Sequence, residues 1–331
     1  AITTATTGTA VITNAPSATS DAATYSLTYA SGLNSTNYSF NPAASAVNYI
    51  VNPASLVVTG ANNSVAYNGS AQTNSGATAT VNGSAATITG NTIATGIGSQ
   101  SFTLSGYGSG TNASATPYAD SLQATAGSGT TASNYNISYT NAGLTINKAN
   151  AYVIIGSGQS STYGSTPTIT YTFNANAAGT GSAITTATTG TAVITFNGFN
   201  SITATSNSGT YGLYYTSGLS STNYTFSRAT GTVNFVVNPA ILNLTISKTY
   251  DGFSSFSSTN TYTLSGTLYN GDSYPTITPG RTALTNSANA ATYSSFTSSN
   301  LTLLDGNYTL TGGTVSATID KANAYVIIGS G

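Results

Sequence analysis

Residues 1–13, AITTATTGTAVIT, recur letter for letter at 183–195, and residues 148–158, KANAYVIIGSG, recur at 321–331. Verbatim return of more than ten residues marks internal duplication. A duplicated chain folds as an array, and its fold is read one repeat at a time. Four segments mark the boundaries: Val51-Asn52-Pro53-Ala54, Ile146-Asn147-Lys148-Ala149, Val237-Asn238-Pro239-Ala240 and Ile319-Asp320-Lys321-Ala322. Upstream of each lies an Asn-Tyr pair, at Asn37-Tyr38, Asn134-Tyr135, Asn223-Tyr224 and Asn307-Tyr308, with Tyr-to-Ala spacings of 16, 14, 16 and 14. The pattern predicts three full modules, 54–148, 149–239 and 240–321. Residues 1–53 match 183–239 and are expected to be the C-terminal part of a further module. Residues 322–331 are expected to be the first strand of the next. The sequence is thus out of phase with its own repeat. Modules near 90 residues are large enough to hold small cores.

Period-two alternation dominates each module. Ala23–Tyr29, Ser101–Leu104, Thr168–Phe173 and Thr261–Leu264 alternate Ser or Thr with Tyr, Leu, Phe or Ile, which puts the large side chains on one face of a strand. Tyr67-Asn68-Gly69, Val81-Asn82-Gly83, Phe196-Asn197-Gly198, Tyr250-Asp251-Gly252 and Tyr269-Asn270-Gly271 supply the positive φ of tight hairpins. The last two strands of each module are expected at the Asn-Tyr pair and at 47–51, 144–146, 233–237 and 315–319. Helix formers are scarce, and Pro117–Ala124 is the best candidate for a short helical turn. The fold expected is all-β: tandem small β-sandwich or β-grasp-like modules. Connectors of two residues, Asn-Pro or Asn/Asp-Lys, are short and stiff, which favours modules joined end to end as an extended rod.

Composition removes whole classes of function. About 3% of the residues are charged, against about 25% in an ordinary domain. His, Cys, Met and Trp are absent, all six acids are Asp, and the net charge is −1. No basic footprint exists for nucleic acid. No run reaches the roughly 18 apolar residues of a membrane helix; the longest apolar patch, Ala151–Ile155, is strand-sized. No signal peptide is visible. Residue 1 is not Met, so a targeting segment is expected to have been removed or to lie outside this stretch. Lack of Cys means no disulfides but is compatible with an oxidising compartment.

Short motifs then carry a family resemblance. Ser161-Thr162-Tyr163-Gly164-Ser165 follows the opening strand of 149–239, and that module resembles an MBG domain of the YGX type. Lys248-Thr249-Tyr250-Asp251-Gly252 opens 240–321, which resembles a YDG domain. Module 54–148, with Tyr67-Asn68-Gly69 and Ser105-Gly106-Tyr107, is similar to the same YDG/MBG group but has Asn in place of Asp. Residues 1–53 are then the C-terminal part of an MBG-like module. Such domains are typical of large repetitive bacterial surface proteins, including filamentous haemagglutinin-like adhesins. The resemblance implies a tandem β architecture and a stalk or adhesin role at the bacterial cell surface, and it brings no catalytic residues.

Chemistry has few parts to work with. General acid–base catalysis wants His, Glu or paired carboxylates, yet the Asp residues are spread at 21, 120, 251, 272, 305 and 320. A Ser nucleophile without a His base is weak. No catalytic, cofactor-binding or metal site is therefore assigned, and the chain reads as a non-enzyme. Zinc would want His or Cys. Calcium would draw on Asp251, Asp272, Asp305 or Asp320, but Asp251 and Asp305 precede Gly and read as turn residues. Tyr25, Tyr38, Tyr211, Tyr224, Tyr293 and Tyr308 recur at matching module positions, which suits core packing better than sugar stacking. Asn-X-Ser/Thr triplets at Asn34, Asn68, Asn82, Asn112, Asn223 and Asn307 read mostly as chance in so Asn- and Thr-rich a chain. The Thr-rich stretches Ile2–Thr7 and Thr78–Val81 suggest an ice-binding face, but a period near 90 gives no continuous flat ladder. Strand addition of the tail Ala322–Gly331 of one copy to the head of another is a sharper alternative to a plain window of a longer polypeptide, which is favoured. The function expected is a structural repeat segment, stalk or fibre, of a large extracellular adhesin, acting by reach and self-association. Its partners would be other repeats and other copies. The alternative is a glycan- or surface-binding module using exposed Tyr and Asn.

Overall fold

The computed structural model describes residues 6–198, 200–294 and 300–329. The first four residues of the Ile2–Thr7 alternation and the last two of the 322–331 repeat lie outside them. Among the described residues the fold is all-β: 31 strands in several sheets, and one 3-10 turn at Ala132–Asn134. The chain divides into two compact units, Ala1–Ala149 and Asn150–Gly331, and each is taken by itself.

In the first unit, Val11–Thr13, Ala23–Ser31 and Val47–Val51 form a three-stranded antiparallel sheet. Beyond Pro53 a seven-stranded sheet is built around Ala54–Gly60, which pairs antiparallel with Ala77–Val81 and parallel with Tyr135–Thr140. A second parallel pair joins Asn63–Ala66 to Gly143–Asn147. The core lies wholly within 54–148: Leu56, Val58, Ile93, Phe102, Leu104 and Tyr135 are among its members. Alternation sets this burial, since in Ser101–Ser105 only Phe102 and Leu104 are buried.

The second unit opens with two four-stranded sheets. Ala149–Ile155 lies between Tyr171–Asn174 and Tyr224–Arg228, with Ala183–Ile184 beyond. Val233–Asn238 lies between Ser160–Thr162 and Gly209–Ser217, with Val193–Thr195 beyond. Past Pro239, Asn243–Thr249 pairs antiparallel with Thr261–Ser265 and parallel with Val315–Asp320. One apolar cluster runs through both parts, from Ile155, Leu213 and Phe235 to Leu244, Phe256 and Ile319. The Asn238-Pro239 connector therefore lies against a shared interior and is not a free hinge.

Several expectations need correcting. Pro117–Ala124 is not helical: Pro117 sits in the strand Ser114–Ala119, at a register irregularity that spares it a ladder bond. Chain after it is held by Asp120 and then by the strand Gln123–Ala126. Asn37-Tyr38 forms no strand, and Tyr38 is exposed. Of the Gly turns, Asn82-Gly83, with φ 49° and 81°, closes a two-residue hairpin between Ala77–Val81 and Ser84–Thr89. Tyr67–Gly69 and Tyr250–Gly252 close none, because their flanking strands pair elsewhere. The strand at 168–173 starts only at Tyr171. Lys321–Gly329 forms no strand, although the same residues at 149–155 do, since an extended segment needs paired neighbours.

Phe102→Ala should lower the denaturant stability of the first unit by about 3–5 kcal/mol, the usual cost of emptying a closed aromatic site. Thr103→Ala, on the exposed face of the same strand, should stay within about 0.5 kcal/mol. Equal losses for the two would contradict the assigned register.

Candidate functional site: the joints between modules

Tyrosines of the Tyr-X-Gly and Tyr-Gly motifs arrive at module ends for a backbone reason. Their preceding strands run parallel to the last strand of the same module. The backbone N–H of Tyr67, Tyr163 and Tyr250 donates to the carbonyls of Asn147, Asn238 and Asp320, each at 2.8 Å. These acceptors are the boundary residues. The motif thus delivers an aromatic ring to the point where the next module starts.

In the second unit that ring is inserted. Tyr163, from 149–239, is 4% exposed, and its hydroxyl donates to Asp272 Oδ2 at 2.8 Å. The Tyr308 hydroxyl donates to the same oxygen at 2.9 Å and accepts the Tyr269 N–H at 2.9 Å. The Tyr163 ring meets Tyr308 edge-on at 5.5 Å and Tyr269 at 6.2 Å. Gly164 donates its N–H to the Ala204 carbonyl at 3.1 Å. A Cβ on Gly164, at φ +85°, would lie 2.1 Å from the Tyr269 ring, so both backbone and packing demand Gly. Bonds to a carboxylate of this kind are each worth roughly 1.5–3 kcal/mol.

An asparagine clamp accompanies this insertion and recurs in both units. Asn307 accepts the Ser208 N–H at 2.7 Å and donates to Asn207 Oδ1 at 3.1 Å. Asn134 accepts the Ala22 N–H at 2.9 Å and donates to Asp21 Oδ1 at 2.7 Å. In each case the Asn of the Asn-Tyr pair grips the loop of the preceding module. That loop is braced by a tyrosine hydroxyl on the carbonyl four residues earlier: Tyr25 on Asp21 and Tyr211 on Asn207, with Tyr293 on Asn289 in the same way.

The first unit has the Asn134 clamp of this joint. Beside Tyr135 lies a cavity of about 180 Å³ lined by Ala18, Asn52, Gln100, Asn134 and Tyr135, among others. The Tyr135 hydroxyl donates to Gln100 Oε1 at 2.8 Å and Thr95 Oγ1 at 3.1 Å. A second depression, about 270 Å³ and mostly apolar, lies on the face of the three-stranded sheet between Ile12, Leu27, Tyr29 and Val47.

Electrostatics at the filled joint follow from burial. Desolvation pushes the Tyr308 phenol up to about 12; the bond from the Tyr269 N–H pulls the other way, and the bond to and charge of Asp272 add to the rise. For Tyr163 a bond with Asn270 lowers the value, and burial with Asp272 outweighs it, so the net direction is also up.

The other Asp residues find separate partners. Asp120, 5% exposed, accepts from the Asn74 amide at 2.9 and 3.0 Å and from the Gly108 and Ala142 N–H groups at 2.8 and 3.3 Å. Asp251 takes the buried Lys248 ammonium at 2.8 Å and the Phe253 N–H at 3.0 Å. The Lys248 contact holds the Asp251 carboxyl below its usual range. Asp305 accepts the Asn307 N–H. Among the described residues no three acids gather in a metal-sized group. Of the recurring tyrosines, Tyr308 is buried, Tyr25, Tyr211, Tyr224 and Tyr293 are half-buried, and Tyr38 is exposed. Sequence reasoning weighed Asp272 only as a calcium ligand and missed its joint role. The available signal was its place one residue after Asn270-Gly271, where the i to i+3 turn bond from its N–H to Tyr269 fixes it beside that ring.

No known family model matches this chain, and no curated protein sequence matches it.

Gly164→Ala should destabilise the second unit by about 1–3 kcal/mol in urea unfolding, since it forces a non-Gly residue to positive φ and meets the Tyr269 ring. The pH dependence has a defined sign. Tyr308 is raised from 10.0 to about 12 on folding, so its contribution is complete below pH 10 and is lost as pH climbs through 12. The urea midpoint of the wild type should fall more steeply between pH 10 and 12 than that of Tyr308→Phe. Parallel curves would contradict the assignment.

Proposed function

We propose that this chain is a stalk or fibre segment of a large extracellular bacterial adhesin or surface filament, its modules joined end to end as an extended rod. The work is mechanical: reach, spacing and self-association with further copies. The observation that carries this reading is the joint. Asn134 and Asn307 grip the preceding module by the same two bonds in both units, and the second adds the Tyr163–Asp272–Tyr308 contact. A chain built to transmit load needs contacts across module borders more than it needs a cavity. Scarce charge supports lateral association, because little repulsion separates neighbouring chains. The resemblance of the short motifs to MBG and YDG domains supports the same reading, with the segment at the cell surface.

Small-angle scattering of the 331-residue chain tests the rod. A globule of this length would have a radius of gyration of about 20 Å; the proposal expects a value well above that and a cross-section one module wide. A compact particle would contradict it. Saturable binding on a glycan array would instead favour adhesive recognition through exposed Tyr and Asn.

A further inference from the structure

We infer that Asn270 is a self-modification site: loss of its side-chain amide, with water as the only co-reactant, converts it to Asp or isoAsp and loosens the joint in which it sits. Asn270 and Gly271 form a turn with φ 56° and 80°. Both are exposed, and a Cβ on Gly271 would meet nothing within 4 Å. A main-chain nitrogen with no Cβ beside it is the least shielded nucleophile that can follow an Asn. The Gly271 nitrogen attacks Asn270 Cγ, so that an N–Cγ bond forms and the Cγ–Nδ2 bond breaks. Ammonia leaves with the proton that the nitrogen gave up. Water then opens the cyclic imide. Opening at the side-chain carbonyl leaves Asp, and opening at the main-chain carbonyl leaves isoAsp. No atom is oxidised or reduced.

The chain has four Asn-Gly pairs, at Asn68, Asn82, Asn197 and Asn270, and position sets Asn270 apart. At the other three the amide oxygen accepts a main-chain N–H, from Ser70, Ser55 and Asn200 in turn, each at 2.9 Å. A carboxylate keeps that oxygen, so those bonds survive the reaction. Asn270 works through its nitrogen, the atom that leaves. Its Nδ2 donates to the Ala204 carbonyl at 3.4 Å, the same carbonyl that takes the Gly164 N–H. The side chain also bonds the Tyr163 hydroxyl, whose own proton is committed to Asp272. After the reaction a carboxylate would face the Tyr163 oxygen, the Ala204 carbonyl and the Asp272 carboxylate, and like charges so close repel. The isoAsp product adds a carbon to the main chain between Tyr269 and Asp272. That is the turn whose Asp272 N–H bond to the Tyr269 carbonyl, at 2.9 Å, sets the carboxylate in place. Either product weakens the Tyr163–Asp272 contact, one by charge and one by geometry. The reaction needs only the joint and water, so it goes beyond the proposed surface role, and its failure would leave that role standing.

The test is incubation of the full 331-residue chain in heavy-oxygen water at mildly alkaline pH, where the Gly271 N–H gives up its proton most easily. Peptide mass spectrometry should find the heavy oxygen at residue 270. The modified fraction, separated by anion exchange, should unfold at lower urea than the unmodified one. Asn270→Asp, made directly, should reproduce the loss and shift the unfolding equilibrium of the second unit about tenfold, as removal of one such bond does. Asn270→Gly keeps the left-handed backbone and has no amide to lose, so its urea midpoint should hold through the same incubation. In a Tyr163→Phe background, which has no hydroxyl to share, Asn270→Asp should cost clearly less. Label that enters at Asn68, Asn82 or Asn197 but not at Asn270 overturns the site. A modified fraction as stable as the starting protein overturns it too, as does a cost of Asn270→Asp that is the same with and without the Tyr163 hydroxyl.

Discussion

Asp272 accepts two tyrosine hydroxyls, one from each side of the Asn238-Pro239 connector. The joint in the second unit depends on that carboxylate. In a chain with eleven charged side chains, ion pairs are too few to tie modules together, and the pair Lys248 to Asp251 is local. Cross-border contact falls to phenols and amides. These carry no desolvation cost comparable to a buried charge, yet they bond strongly to a single carboxylate. The parallel pairing of the motif strand with the last strand makes this workable. It brings an aromatic residue in mid-sequence to the module's end without a dedicated loop.

The shared interior follows from the same contact. Tyr163 belongs to the cluster that includes Leu213 and Phe235 on one side and Leu242, Phe256 and Ile277 on the other. Two modules of fewer than 100 residues each bury a modest fraction of their surface alone. Joining their cores raises that fraction and makes separation costly. The first unit differs: its core holds no residue of 1–53, and the border there is carried by the Asn134 clamp beside an open cavity.

Much of the fold was legible in the sequence. Strands at 101–104 and 261–264 fell where alternation put them, because one buried face forces period two; 23–29 is a strand as well, although none of its residues is buried. The all-β class followed from the scarcity of helix formers. Local signals failed where tertiary partners decide. Lys148–Gly158 and Lys321–Gly331 are identical, yet the first contains a strand set between two others while the described part of the second, Lys321–Gly329, has none. Pro117 looked like a helix start and proved to be a strand irregularity. The parallel pairs escaped notice altogether, since Gly-rich turns suggest hairpins and nothing local signals a long-range parallel ladder. At the joint, the recurring Asn-Tyr pair was visible as a landmark. Its function as a clamp required knowing that residues about 100 positions away lie beside it.

The central claim is that Tyr163 and Asp272 make the two sheets around Val233–Asn238 and Asn243–Thr249 one cooperative body. Native-state hydrogen exchange measures this directly. The account predicts that the slowest amides of Val233–Asn238 and of Asn243–Thr249 exchange with the same opening free energy and the same denaturant dependence, as members of one unit do. Two distinct opening energies, with one set of strands exchanging while the other stays protected, would show independent modules and contradict it.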